Sequence, residues 1–287
     1  MSGQNPGDSG WFRYGDPNDA ESAATAITDR TAEQPQDWPA EAVRAGVVDS
    51  EDDYYDALHG ATVHATREAV RERETSTEQQ IKHCIAAMDD AERTANELAE
   101  RVVEWAGSLA GDDREPLADG IDGVRAVAAW TPETPAEERV VSLAERAVDL
   151  DAERAELRSF VESQVPTVAP NLAAMAGPVL AARLLSLAGG LESLAKKPAG
   201  TVQVLGAEDA LFAHLEGRGP SPKHGVIFTH EYVRGTRPDD RGSAARALAG
   251  KLVIAARIDH YAGEFKQSVH DDLDDRMATI RGREGGE

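Results

Sequence analysis

From Ile81 onward, apolar and small residues recur at alternating spacings of three and four: Ile81, Cys84, Met88, Ala91, Ala95, Leu98, Val102, Trp105 and Leu109. The positions between them are mostly Glu, Asp, Arg and Gln. That is a heptad seam, and it predicts a long helix over 77–110. Thr77 followed by Gln80 has the order of a capping box at its start. Gly111-Asp112-Asp113-Arg114-Glu115-Pro116 breaks the pattern, a short apolar piece covers Leu117 to Trp130, and Thr131 to Pro135 breaks it again. A second long helix over 136–165 repeats the seam at Val140, Leu143, Ala147, Leu150, Leu157 and Val161, with Arg154 as its one violation. Two long helices joined by such a tip predict an antiparallel hairpin.

Before the hairpin, residues 1–74 read as a small α/β or irregular domain. Trp11 to Tyr14 is a candidate strand, and Trp38, Tyr54 and Tyr55 supply further aromatics. Helical spacing covers Ala40–Gly46 and Asp52–Arg73. After the hairpin (75–165), Pro166 and Pro170 mark entry into a third region, 166–262. There Asn171 caps a helix to about Leu187, ended by Gly189-Gly190. A short helical turn covers Ser193–Lys197. Thr201–Leu205 reads as strand or buried helix. Ala207–Glu216 reads as an amphipathic helix, Gly217–Gly225 as a loop and Val226–Phe228 as an extended piece. A long helix starting at Asp239 buries Ala245, Leu248, Leu252, Ala255 and Ile258. A terminal helix over Phe265–Ile280 and a disordered end, Gly282–Glu287, complete the chain (263–287). The fold class is therefore mainly α.

Hydrophobic content of 41% with 5% aromatic fits an Ala/Leu/Val-rich helical core. The formal net charge of −22 argues against nucleic acid at first sight. The charge is unevenly placed, however. Between Gln164 and Ala262 there are 11 Lys and Arg against 8 Asp and Glu, while the rest of the chain has 19 against 44. One net-positive region in an acidic chain is the pattern of a part that touches phosphate. The acidic excess, with Lys scarcer than Arg, is also the composition expected of a cytoplasm with multimolar salt. Cys84 stands alone, so an intrachain disulfide or cysteine zinc site is excluded. Met1–Gly10 lacks the basic and apolar regions of a signal peptide, and the apolar window Asn171–Leu191 reads as buried helix rather than a membrane span. The expectation is a soluble, cytoplasmic protein.

Candidate binding chemistry lies in the basic region. Lys196, Lys197, Arg218, Lys223 and His224 sit near turns, and Arg241, Arg246 and Lys251 sit on the last long helix. Arg246 is five residues from both Arg241 and Lys251, about 140° around a helix, so the three do not form one narrow stripe. The Gly206-Ala207-Glu208 turn has two readings. Its backbone N–H groups are placed to meet phosphate, or Glu208 accepts from a base edge or a protein partner. No strand followed by a Gly-rich cofactor loop is present, the eight histidines do not pair with acids at metal spacing, and no catalytic residue, cofactor or metal is assigned.

The segments Gly206-Ala207-Glu208-Asp209-Ala210-Leu211-Phe212, Pro220-Ser221-Pro222-Lys223-His224-Gly225 and Arg241-Gly242-Ser243-Ala244-Ala245-Arg246 resemble the Nop domain. Asn171-Leu172, Gly177-Pro178, Pro198-Ala199-Gly200-Thr201-Val202-Gln203 and Arg257-Ile258-Asp259 extend the match in the same order. At the tip, Trp105-Ala106-Gly107-Ser108-Leu109 keeps only Trp105 and Gly107 of the family's aromatic run. The resemblance implies an all-α Nop domain at 166–262 and a scaffold of the archaeal box C/D ribonucleoprotein. It implies RNA and partner contacts at Lys196, Gly206, Ala207, Glu208, Lys223, His224, Arg241, Arg246 and Lys251. The implied partners are box C/D guide RNA, a kink-turn-binding ribosomal-type protein, and fibrillarin docked on the N-terminal domain. It further implies a homodimer through the coiled coil, with Ile81, Met88, Leu98, Val102, Leu143, Leu150 and Leu157 as its seam. Catalysis of guide-directed 2′-O-methylation would then belong to fibrillarin. The rival expectation is a coiled-coil adaptor without RNA contact.

Overall fold

The computed structural model describes residues 10–29, 36–109 and 116–282; Met1–Ser9, the tip break at 110–115 and most of the expected disordered end lie outside them. The chain divides into two compact units, Met1–Ser76 and Thr77–Glu287.

The first unit is helical, and no strand occurs among its described residues. Trp11–Arg13 forms a 3-10 turn rather than the expected strand, because three residues between Gly10 and Tyr14 close i→i+3 hydrogen bonds and have no partner strand. Helices α1 (Ala20–Thr28), α2 (Trp38–Arg44) and α3 (Glu51–Thr75) follow. Asp19 caps α1 by accepting from the Glu21 N–H, and Ser50 caps α3 by accepting from the Asp53 N–H. Phe12, Ala42 and Tyr54 form the small core with Trp11 and Trp38 against it, and the Trp11 indole donates to the Tyr54 hydroxyl at 3.1 Å.

In the second unit α4 (Thr77–Leu109) and α6 (Pro135–Val168) form the expected hairpin, with the short α5 (Gly120–Ala128) packed on both. Thr134 and Glu137 make a capping box at the start of α6. The seam differs in detail from the strict heptad. On α4 the buried positions are Ile81, Ile85, Met88, Ala91, Ala95, Ala99, Val102 and Ala106, whereas Cys84, Leu98 and Leu109 are half-buried and Trp105 is exposed. These positions recur at close to 3.6, the repeat of a straight helix, which slides off a 3.5 seam by about 20° per heptad. Ile81, Met88 and Val102 are buried within the chain itself, so the seam closes the hairpin on itself. Leu98, Leu143, Leu150 and Leu157 remain half-buried, and Phe160 is exposed. Arg154 is tolerated because Asp151 accepts from it at 2.8 Å and also takes Arg125 of α5 at 2.7 Å.

The module beyond the hairpin is all helix. Helices α7 (Pro170–Ala176) and α8 (Pro178–Ala188) replace the single helix expected over Asn171–Leu187; they bend by 117° at Gly177-Pro178. Proline at the next position removes a donor and sets a fresh helix start, which is why the break falls there. Then come α9 (Leu191–Lys196), α10 (Ala199–Gln203), α11 (Glu208–Leu215), α12 (Glu231–Arg234), α13 (Arg241–Tyr261) and α14 (Gln267–Arg281). Val226–Phe228, expected to be extended, lies in a 3-10 turn, Val226–Thr229. Thr201–Leu205 is helical in its first half.

Helix α13 is the hub: α7, α9, α10, α12 and α14 all pack on it. Leu172, Leu184, Leu185, Leu194, Leu248 and Leu252 are fully buried, each contributing about 1.5–3 kcal/mol. The same core takes Ile81, Ile85, Val161 and Val165 from the base of the hairpin. Among the described residues no single helix is long and apolar enough to cross a membrane, and the apolar bent pair α7–α8 is buried in this core.

Candidate functional site

The site is built where two segments distant in sequence are tied together. The Gly225 N–H donates to the Gln203 carbonyl at 2.9 Å, the Val226 N–H to the Leu205 carbonyl at 2.8 Å, and the Gln203 side-chain amide to the Lys223 carbonyl at 2.8 Å. A Cβ on Gly225 would lie 2.0 Å from the Leu205 carbonyl oxygen, so this approach requires glycine. These bonds bring the Gly206-Ala207-Glu208 turn beside Lys223-His224.

The same loop reaches the start of α13 through Phe228. The His224 ring stacks on Phe228 with centroids 4.5 Å apart, and the Arg241 guanidinium carbon lies 5.4 Å from the Phe228 centroid. Arg241 is half-buried and also donates to the Thr236 carbonyl at 3.1 Å. The Lys223 stem lies alongside Gly242, where a Cβ would come within 3.9–4.0 Å of its carbons. Arg246 is four residues beyond Gly242, so it lies on the same helix face one turn on. Lys223 and Arg246 are exposed and have no acidic partner among the described residues. Burial, then the Arg241 and Lys223 charges, push the His224 imidazole below its ordinary value. His224 is therefore a neutral stacking ring at neutral pH, not a further cation.

Other expected residues fall elsewhere. The Glu208 carboxylate accepts from the Gly206 N–H at 2.8 Å, so both members of the turn's two readings are already joined to each other. Lys196 pairs with Glu192 at 2.5 Å, which raises its pKa, and it lies near Tyr261 at the far end of α13. That end is about 30 Å from Arg241 by helix rise. Lys251 is half-buried and paired with Asp272 of α14 at 2.8 Å. The convergent set is thus Gly206–Glu208, Lys223, His224, Arg241 and Arg246.

Two features escaped the sequence. Phe228 is the ring that His224 and Arg241 share, but its run is too short for periodicity. Helix α11, expected to bury an amphipathic face, buries no residue at all: Phe212 is 59% and Leu215 71% exposed. An apolar exposed face on a short helix is the mark of a surface that meets something else. Among the described residues no group of His, Cys, Asp or Glu is placed to hold a metal ion.

The chain is similar to known proteins. The family model described as "Nop: snoRNA binding domain, fibrillarin" matches residues 131–279. An uncharacterized NOP5 family protein of Methanocaldococcus jannaschii is 46% identical over 142 residues, covering 50% of this chain and 34% of that protein. Nucleolar protein 58 of Debaryomyces hansenii is 32% identical over 243 residues, 71% of this chain and 47% of its own length. Nucleolar protein 56 of Schizosaccharomyces pombe is 39% identical over 144 residues, 49% of this chain and 29% of its own. The chain therefore spans less than half the length of these curated relatives. A crystal structure titled as a fibrillarin/Nop5p complex shares the fold, with a TM-score of 0.52 and 24% identity over 91% of this chain and 92% of that one. With the family model covering more than half of the residues, this chain belongs to the Nop family.

Proposed function

We propose that this protein is a non-catalytic scaffold of a box C/D ribonucleoprotein. The observation that carries the reading is the convergence of Lys223, Arg241 and Arg246 with the Phe228–His224 stack beside the Gly206–Glu208 turn. Cations fixed around an aromatic hub suit phosphate and unstacked bases. The guide RNA binds across this surface, and the exposed face of α11 meets a kink-turn-binding protein already on the RNA. Fibrillarin docks on the N-terminal unit and supplies the 2′-O-methylation chemistry. A second copy pairs along the hairpin where Leu150, Leu157 and Phe160 remain open, since the inner seam is already filled.

A surface read jointly by RNA and protein binds neither half tightly alone. Kink-turn RNA by itself should bind weakly, and adding the kink-turn protein should raise affinity at least ~30-fold, about 2 kcal/mol. Lys223→Glu combined with Arg246→Glu should then release the RNA from the assembled particle. Unchanged retention would instead favour a coiled-coil adaptor that makes no RNA contact.

A further inference from the structure

We propose that the cleft beside this surface receives one unstacked nucleobase of the bound RNA; the proposal rests on the RNA-binding reading above and deepens it. The cleft has a volume of about 550 Å³ and opens between α4, α8 and the two tied loops. That lies within the roughly 300–1,000 Å³ of sites that enclose a small-molecule-sized group. Its walls are Leu187, which is 46% exposed, Val226 and Phe228. Gly206 adds only backbone there, and a Cβ on it would meet Leu187 at 3.3 Å and Val226 at 3.4 Å.

Ser186, Thr229 and one charged pair add polar groups to these walls. The Arg183 guanidinium donates from Nε to Asp89 at 3.2 Å and from Nη2 at 2.5 Å. That engages two of its five N–H groups. The rest, with the Asp89 oxygens, offer donors and acceptors to a base edge. Apolar walls for the two faces and a few fixed polar groups for the edge are what a splayed base requires.

The charge beside the cleft decides between occupants. Phe228 lines the cleft and also carries His224 and Arg241, with Lys223 next to them. A base entering here places its flanking phosphates toward those cations. An apolar side chain from a protein would leave them unused.

The test uses the assembled complex of this chain, kink-turn protein and a box C/D kink-turn RNA carrying single abasic positions. Ala86 is an exposed α4 residue of the cleft wall, so Ala86→Phe fills the space without touching the core. The expected result is about a tenfold loss of RNA affinity, the size of one stacked base. One abasic position should cost the same in the natural chain and nothing further in Ala86→Phe. Natural affinity in Ala86→Phe, or losses that simply add at every position, would overturn the cleft. So would weaker capture of the kink-turn protein by Ala86→Phe in the absence of RNA, which would assign the cleft to protein. Lys223→Glu run in parallel separates the two levels. If it abolishes binding while Ala86→Phe does not, the cleft fails alone; if neither has an effect, the RNA reading fails with it.

Discussion

Asp259, near the end of α13, accepts from both the backbone and the side-chain amide of Asn171, 88 residues earlier, at 3.0 and 2.7 Å. Its second oxygen takes the Leu172 N–H at 2.8 Å. The carboxylate thus caps α7, and Asn171 is the capped residue rather than the cap. Asn171 in turn donates to the Glu264 carbonyl and accepts from the Lys266 N–H, tying the α13–α14 turn to the same point. Asn171 is 0% and Asp259 8% exposed. Asp259→Ala would leave three donors without an acceptor inside the core. A loss of about 3 kcal/mol follows, since unsatisfied buried groups cost roughly 1–3 kcal/mol and charged hydrogen bonds contribute about 1.5–3. Urea unfolding should show a lower midpoint at unchanged slope. Asp259→Asn, which keeps the shape and one acceptor, should lose less.

A second long-range cap joins the hairpin to the module. Glu78, in the first turn of α4, accepts the Leu191 N–H at the start of α9 at 3.2 Å. Gly190 makes room for it, with φ +125° and a Cβ position only 2.3 Å from the Glu78 carboxylate. This backbone region is essentially closed to other residues, and strain of order 1–3 kcal/mol attends any side chain there. Gly190→Ala should therefore destabilise by more than 2 kcal/mol, from strain and the displaced cap together. Gly46→Ala is the comparison. It also has positive φ but meets nothing within 4 Å, and should cost about 1 kcal/mol. Equal losses in thermal unfolding would remove Glu78 from the account.

These two caps mark where sequence reading stops. The hairpin was legible because its seam repeats over four heptads, and periodicity integrates many weak signals. The long α13 was legible for the same reason. The choice of Ile85 over Cys84 and Ala106 over Trp105 was not, because it depends on how far a straight helix drifts from the heptad. Within the candidate site, Lys223, Arg241 and Arg246 were singled out by residue type and resemblance. Sequence could not separate them from Lys251, whose partner Asp272 is 21 residues away on another helix. Nor could it see that α11 leaves Phe212 outward, since its spacing is that of an ordinary buried face.

His230 should make stability depend on pH. Its Nδ1 accepts from the Tyr232 N–H at 3.1 Å and caps α12, while Nε2 contacts the Met175 carbonyl at 3.0 Å. Both contacts need a neutral ring with its proton on Nε2. Burial holds the imidazole below its ordinary value. In the unfolded chain it titrates near 6.5. Above that value both states are neutral and nothing is lost. As pH falls through it, the unfolded state takes up the proton first, so stability declines until the folded value is passed. His230→Asn retains a capping side chain without the titration. The natural chain should lose stability relative to this variant as pH falls below about 6.5; parallel curves would show that His230 is not the sensor.

Charge outside the module governs a separate response. Residues other than Gln164–Ala262 carry 44 Asp and Glu against 19 Lys and Arg. Their repulsion is screened over about 3 Å at 1 M salt but acts over about 10 Å at 0.1 M. Lowering KCl from molar to ~0.1 M should therefore lower the folding midpoint. RNA affinity should move the opposite way, because phosphate contacts gain as salt is removed. Within that gain Lys223→Gln should reduce the slope of log affinity against log salt by about 1, leaving the protein's own salt response unchanged. The same variant thus separates the phosphate contact from the acidic surface: a slope equal to that of the natural chain would place Lys223 away from the backbone of the RNA.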